Sequence, residues 1–456
     1  MKNNSADLRG FLSTLQSDNE LVRVKRDVNA EYEIAAISAR LDGKQAVLFE
    51  KVRKSKIRVV TNVIATPRRF YLALGGSSHK SHKADVKRNI HSRVSQALHG
   101  LSEPIRAQGG GLFEENSSRS LYDLPIVTHF EKDAGPFITS SIVFSQDQES
   151  GRQNQSTHRL LLLDENNMAI RMVEGRHLHK CFSYARDHGE DLKITIGIGV
   201  HPAVNIAAAY QAAYGVDEMQ IANSLLEGKL VLSRTSYSQL YVPSHTEIVL
   251  EGRILRDKTH EEWMVEMLRT YDFKRKQPVF QLERIMLRND AIYHDILPGY
   301  AEHRLLMGMP VEAKMYDNIK NVVPTTQSVH LTEGGSNWLS AVIQIKKRLE
   351  GESKNAILAA FTAHPSLKMA IVVDDDINPT DPIEVEYAIT TRCQADRDLI
   401  IIANAKGSSL DPSSDQDNLL TTKVGIDATA TMLKAKERFE IAKIPGEEKV
   451  DLSDYL

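Results

Sequence analysis

Leu8, Phe11, Leu12 and Leu15 recur at helical spacing behind Ser5 and Asp7, so the chain is expected to open with an amphipathic helix. Ala46–Phe49 and Ile57–Val63 read as strands, Pro67–Leu74 as the start of a helix, and Ala84–Leu101 as a longer charged helix. Together they predict a small α/β unit. Arg106 to Arg119 holds Gly109, Gly110 and Gly111 and a Glu-Glu-Asn-Ser-Ser run, the composition of a linker or mobile loop. From Pro136 the pattern turns to strands: Phe137–Phe144, Leu160–Leu163, Met168–Val173, Ile194–Val200, Leu230–Leu232, Glu247–Leu255 and Pro278–Leu287. Helices are expected between them at Leu178–Asp187, Pro202–Tyr214 and Asp217–Glu227. After Pro298 the chain predicts helices near Glu302–Met307, Ser336–Leu349 and Ile383–Ala388, with strands at Met369–Val373 and Leu399–Ala403. Thr429–Glu440 has helical composition, and Gly446 to Leu456 is charged and expected to be extended.

A length of 456 residues fits two or three domains, each with a sizeable core. Apolar residues make up 41% and charged residues 26%, values of an ordinary folded enzyme rather than a disordered or membrane protein. With 57 Lys plus Arg against 60 Asp plus Glu, the net charge of -3 offers no basic field for a phosphate backbone, which argues against nucleic acid as a partner. Cys181 and Cys393 stand far apart with no metal-ligand spacing, so neither a disulfide scaffold nor a structural zinc site is indicated. No apolar run approaches the roughly 18–20 residues of a membrane span, and Met1 to Gly10 lacks the apolar core of a signal peptide; a cytoplasmic location is expected.

Chemistry is harder to place from the residues alone. The Gly109–Gly111 triplet is followed by Leu112 and Phe113 and does not match a phosphate-binding loop. His177 and His179 follow a strand, but sixteen histidines make such placements common. Glu261, Glu262 and Glu266 lie among strong helix formers, and their plain reading is an exposed acidic helix face. Arg159, beside an apolar strand, either snorkels or pairs with carboxylates.

A longer pattern resolves this. Val242-Pro243-Ser244-His245-Thr246-Glu247-Ile248-Val249-Leu250-Glu251-Gly252 resembles the VPAxxEIVLEG stretch of the UbiD-family decarboxylases. Further pieces stand in the family's order: His201-Pro202-Ala203 with Gly215-Val216-Asp217-Glu218, then Arg288-Asn289-Asp290-Ala291-Ile292-Tyr293, Val373 to Ile377, Thr391 to Asp398, Gly407 to Ser413, and Gly425-Ile426-Asp427-Ala428. The resemblance spans roughly Pro125 to Ala428. It implies an α/β (α+β) fold: an N-terminal α/β domain (1–105), a central split β-barrel binding prenylated FMN (106–320), and a C-terminal α/β and oligomerisation domain (321–456).

The resemblance also implies roles. Asn154, His177 and Glu218 match the residues that hold a divalent ion, Mn2+ or Mg2+, which ties the cofactor phosphate to the protein; an amide oxygen, an imidazole and a carboxylate suit either ion, and K+ is a further ion to expect. Arg159 matches the active-site arginine, while Glu261 and Glu266 match the two acids of a Glu-Arg-Glu network in which Glu266 delivers the proton that replaces carbon dioxide. The segment Glu261-Glu262-Trp263-Met264-Val265-Glu266 lacks the family's glycines and proline, and as a helix it would place Glu262 with Glu266 and turn Glu261 away. Ala207, Ala208 and Ala209 stand where some relatives have small hydroxyl residues near the flavin, and His364 and Lys368 are a plain solvated loop or phosphate contacts. The implied activity is reversible decarboxylation of an aromatic or α,β-unsaturated acid; alternatives are a non-catalytic assembly subunit and a carboxylase running the reverse reaction. Implied partners are a flavin prenyltransferase supplying the cofactor, and a second or several further copies in a homodimer or homohexamer. Candidate substrates include hydroxybenzoates, other aromatic acids, and the unsaturated phosphorylated acid of an archaeal-type isoprenoid route.

Overall fold

The computed structural model describes residues 6–76, 83–110, 120–210, 212, 216–442, 444–446, 450–451, 453 and 455. The first helix, Leu8–Ser17, starts where the Asp7 carboxylate accepts from Gly10 N at 2.9 Å and buries Leu8, Phe11, Leu12 and Leu15, as the spacing predicts. Among the described residues the strands form four sheets. The N-terminal one runs in the order Leu21–Val24, Ala46–Phe49, Arg58–Thr61, Ile292–His294. Its last strand comes from far along the chain and lies parallel to Arg58–Thr61.

At the centre is a closed antiparallel barrel of six strands, in the order Ile248–Glu262, Arg275–Leu287, Asn167–Ile170, Gln153–Leu162, Phe137–Gln146 and Leu192–Ile198. These strands read as near-continuous apolar runs because both faces are covered. Val143, Leu160, Ile194, Ile196, Leu250 and Phe280 share one core, while Ile142 and Phe144 join another with the helix Pro202–Ala209. The C-terminal sheet has the order Thr326–Leu331, Ser340–Ile345, Met369–Asp374, Leu420–Ala428, Leu399–Lys406, mixing parallel and antiparallel pairs.

The two acids of the Val242–Gly252 motif are braces. Buried Glu247 receives Arg9 through Nε and Nη2, both at 2.8 Å, Arg288 at 3.0 Å and Ile292 N at 3.1 Å, joining the first helix and the N-terminal sheet to the barrel. Glu251 accepts from Tyr237 N at 3.0 Å, Ser238 N at 2.8 Å and Arg284 Nε at 2.9 Å. Gly252 follows because the backbone of the next strand passes too close for a side chain: a Cβ there would sit 2.1 Å from Gln281 O.

Several expectations change. Ser336–Leu349 is not a helix: a turn leads into the strand Ser340–Ile345, which lies between two other strands, so its Ala-Val-Ile run is buried on both sides. Thr429–Glu440 forms no α-helix, only a short 3-10 turn at Lys436–Phe439. Its backbone is claimed by side chains from elsewhere: Asp427 takes Thr429 N at 3.0 Å, Asp374 takes Ala430 N at 2.6 Å, and Glu350 takes Met432 N at 2.5 Å. The first part of the expected linker is the strand Ile105–Gly110, parallel to Val231–Arg234; residues 111–119 lie outside the described residues, as does much of 446–456. The helix expected over Pro202–Tyr214 ends at Ala209, and that near Glu302–Met307 runs over Ala301–Val322. The helix Glu352–Ala363 and the strands Thr326–Leu331 and Leu420–Ala428 have no counterpart among the sequence expectations.

Gly252→Ala is expected to destabilise the protein by about 1–3 kcal/mol, the usual cost of forcing a methyl group into packed surroundings, read as a lower denaturant midpoint at unchanged slope.

Candidate active site

Asn154 and Arg159 stand on one barrel strand, Gln153–Leu162, which begins well before the apolar run that announces it. At ~3.3 Å per residue their backbones are roughly 16 Å apart, and each gathers its own cluster. His177 and Glu218 are the first residues of the helices His177–Asp187 and Glu218–Leu225. His177 Nδ1 lies 2.9 Å from Asn154 Oδ1 and 3.8 Å from Glu218 Oε1, and Glu218 Oε2 accepts from Gln155 N at 3.1 Å. The three residues matched to a metal site therefore converge. The amide of Asn154 is held in its orientation because Nδ2 faces Ser156 Oγ at 3.3 Å, Ser156 Oγ faces His158 Nε2 at 2.8 Å, and His158 Nδ1 faces Arg171 O at 2.8 Å. Burial pushes His158 down to about 4, so the ring is neutral near pH 7. Ser156 and His158 carry no sequence signal beyond their position on this strand.

Arg159 reaches into the second cluster. Its Nε donates to Glu262 Oε2 and its Nη2 to Glu262 Oε1, both at 2.9 Å; Nη2 also meets Asp272 Oδ2 at 3.1 Å, and Nη1 pairs with Glu266. Burial works against the charged guanidinium, but Glu266, Glu262 and Asp272 outweigh it and raise its pKa further. Arg171 approaches Glu262 at 3.8 Å, and Arg275 holds Asp272 Oδ1 at 3.1 Å.

Glu261, matched to the network by the family resemblance, is not brought to it. The strand Ile248–Glu262 continues through both acids, so they point to opposite sides: Glu262 is fully buried and Glu261 faces solvent opposite Lys276. The register shift between Leu255 and Thr259 inserts three unpaired residues, and an odd insertion reverses which positions face a given side. Glu262 thus shares a face with Arg275 and Gln277. The exchange of Glu262 for Glu261 that a helix would have produced comes about here by a bulged strand.

Glu266 sits in the hairpin after Glu262, where Glu266 N donates to Thr270 O at 2.9 Å and Asp272 N to Met264 O at 2.9 Å. Met264, Val265 and Met267 in the same hairpin are buried, Met264 against Phe137, Leu161 and Ala169. The segment 130–134 clamps this hairpin: Asp133 accepts from Val265 N at 3.0 Å, Ala134 N donates to Trp263 O at 3.1 Å, and Trp263 Nε1 donates to Lys132 O at 2.8 Å. Burial raises the pKa of Asp133. His303 lies within electrostatic reach of Glu266 and Arg159, and burial lowers its pKa. His364 is no phosphate contact here: it is buried, with Nε2 3.0 Å from Trp338 O, while Lys368 pairs with Asp411 at 2.7 Å.

No group of three or more His, Cys, Asp or Glu residues that could hold a metal is found among the described residues. An ion at Asn154, His177 and Glu218 would take one amide oxygen, one imidazole nitrogen and one carboxylate oxygen, a donor set that fits Mn2+ or Mg2+. The strand Gln153–Leu162 thus carries the Asn154 cluster near one end and the buried Arg159–carboxylate cluster near the other. No helix among the described residues is long and apolar enough to cross a membrane.

For a closed barrel between α/β layers with a buried arginine shared among acids, comparison with known proteins supplies the class, the UbiD-type carboxy-lyases. The N-terminal, Rift-related and C-terminal domain models of 3-octaprenyl-4-hydroxybenzoate carboxy-lyase match residues 12–88, 107–301 and 304–428. The chain belongs to the UbiD family and is a decarboxylase. It is 40% identical over 434 residues to the anhydromevalonate phosphate decarboxylase of Methanothermobacter thermautotrophicus, covering 95% of this chain and 99% of the relative. It is 49% identical over 321 residues to the enzyme of that name from Methanocaldococcus jannaschii, covering 70% and 75%. The UbiD-class enzyme HmfF of Pelotomaculum thermopropionicum, solved in complex with FMN, superposes with a TM-score of 0.93 at 38% identity, covering 99% of this chain and 100% of HmfF; an evolved dimeric form of HmfF was solved with prFMN.

Glu262→Gln is expected to cost about 2–3 kcal/mol of stability, the range for losing charged hydrogen bonds to a buried partner, whereas Glu261→Gln stays within about 0.5 kcal/mol as an exposed substitution. Chemical denaturation of the two variants side by side checks both.

Proposed function

We propose that this decarboxylase acts on a phosphorylated α,β-unsaturated acid of the anhydromevalonate phosphate type, using prenylated FMN held by a divalent ion. The observation that carries the substrate reading is the similarity, over nearly the whole chain, to a curated anhydromevalonate phosphate decarboxylase. It favours the phosphorylated acid over the hydroxybenzoates and other aromatic acids, and turnover over the non-catalytic alternative. In this reading Asn154, His177 and Glu218 hold Mn2+ or Mg2+ against the cofactor phosphate. When bound, the prenylated ring supplies the electron sink that side chains lack. Arg159 Nη1, on the side of the guanidinium away from Glu262, receives the substrate carboxylate, and Glu262 keeps that guanidinium aimed. Glu266 delivers a proton to the carbon that loses carbon dioxide.

Protein co-produced with a flavin prenyltransferase is expected to release carbon dioxide from anhydromevalonate phosphate and not from 4-hydroxybenzoate; the opposite selectivity overturns the substrate reading. Glu266→Gln is expected to lower kcat roughly 10²–10⁴-fold, the usual contribution of a positioned general acid, and full turnover by that variant would remove Glu266 from the role. Dialysis against a chelator is expected to lower the flavin absorbance retained after gel filtration, with added Mn2+ restoring it; retention unaffected by the chelator would argue against the ion at Asn154, His177 and Glu218.

A further inference from the structure

We propose that Asp272 is a positioning residue that keeps Arg159 in place while the partner at Arg159 Nη1 changes from substrate carboxylate to Glu266. The inference rests on the reading of Glu266 as proton donor. The guanidinium is divided between two jobs: Nε and Nη2 are taken by Glu262 and Asp272, and Nη1 by Glu266. Decarboxylation moves one negative charge across this group. Before the reaction the charge is on the substrate carboxylate and Glu266 holds a proton. The bond between the carbon and the carboxylate breaks, carbon dioxide leaves uncharged, and the carbon ends bonded to the proton from Glu266. The charge therefore finishes on Glu266, beside the same Nη1. An arginine held by Glu262 alone could swing with that transfer, whereas a second anchor at Nη2 leaves Nη1 as the edge where partners exchange.

Asp272 is built to remain an anion throughout. Its side chain is 3% exposed. Oδ1 takes Arg275 Nη2 at 3.1 Å and Phe273 N at 2.8 Å, and Oδ2 takes Arg159 Nη2 at 3.1 Å. Burial raises its pKa, but Arg275, Arg159 and Arg171 together outweigh that and lower it. Its backbone N–H, bonded to Met264 O, ties it into the hairpin that carries Glu266, so anchor and donor move as one unit. The charged and titratable groups around the pair are Arg159 on its strand, Arg171, Glu262 at the end of its strand, Glu266 in the hairpin, Arg275 on the returning strand, Asp133 beneath and His303 from the helix Ala301–Val322.

The sign of the effect is set by charge. Removing the negative charge of Asp272 leaves Arg159 to favour ionised Glu266 more strongly, so the donor loses its proton at lower pH. In Asp272→Asn the alkaline limb of the kcat profile is expected to move down by about one pH unit, with KM changed less than kcat and Asp272→Glu restoring most of the shift. Arg275→Gln, at a partly exposed site, removes a positive charge from the same cluster and is expected to move the limb up. A readout independent of turnover is proton uptake when flavin-loaded enzyme binds the saturated, unreactive analogue of anhydromevalonate phosphate, measured by calorimetry in two buffers of different ionisation enthalpy. Asp272→Asn is expected to take up fewer protons than wild type. A uniform loss of rate at every pH, with limb and uptake unchanged, would overturn the proposal, as would shifts of the same sign in Asp272→Asn and Arg275→Gln. Wild type that decarboxylates no acid would end the reading of the function, while the calorimetric comparison would still decide the part played by Asp272.

Discussion

A buried guanidinium is costly unless every face of it is answered, and the centre of this molecule is arranged to answer Arg159. Three carboxylates from two neighbouring stretches, Glu262 at a strand end and Glu266 and Asp272 in the hairpin that follows, meet one arginine on a barrel strand. Desolvation opposes the charge, and only partners at hydrogen-bonding distance reverse that. The surrounding structure serves this requirement. The bulge before Thr259 turns Glu262 inward, buried Met264, Val265 and Met267 seat the hairpin, and the segment around Asp133 locks it from below.

The barrel gives the arrangement its precision. A closed sheet has no free edge along which strands can slip, so residues five apart on one strand hold a constant separation, and Asn154 and Arg159 can each recruit a different cluster. Glu247 and Glu251, the acids of the Val242–Gly252 motif, accept hydrogen bonds that join the first helix, a serine-rich loop and the N-terminal sheet to the barrel. Such buried carboxylates with several donors fix the relation between layers. The same logic explains why the returning strand Ile292–His294 belongs to the N-terminal sheet: its first amide is held by Glu247.

Much of this was legible in the residues. Ordered motifs placed the chain in its family, the resemblance marked Asn154, Arg159, His177 and Glu218, and the apolar runs located most barrel strands. Ser336–Leu349 and Thr429–Glu440 misled because composition is a local quantity. In the first, burial between two strands overrides helical composition, and in the second, Asp427, Asp374 and Glu350 capture backbone amides that a helix would have used.

By itself the sequence determined which side chains were available and, through its apolar runs, where most of the strands would lie; the barrel they close into was implied only by the family resemblance. It could not decide between Glu261 and Glu262, because the choice turns on three unpaired residues that reverse the facing of everything after them, and a bulge is defined only against a partner strand. Nor could it disclose Asp272, 113 positions from Arg159 and marked by no motif. Closure of the barrel and the return of the hairpin bring that carboxylate to the guanidinium, since contacts between distant positions exist only once the chain has folded.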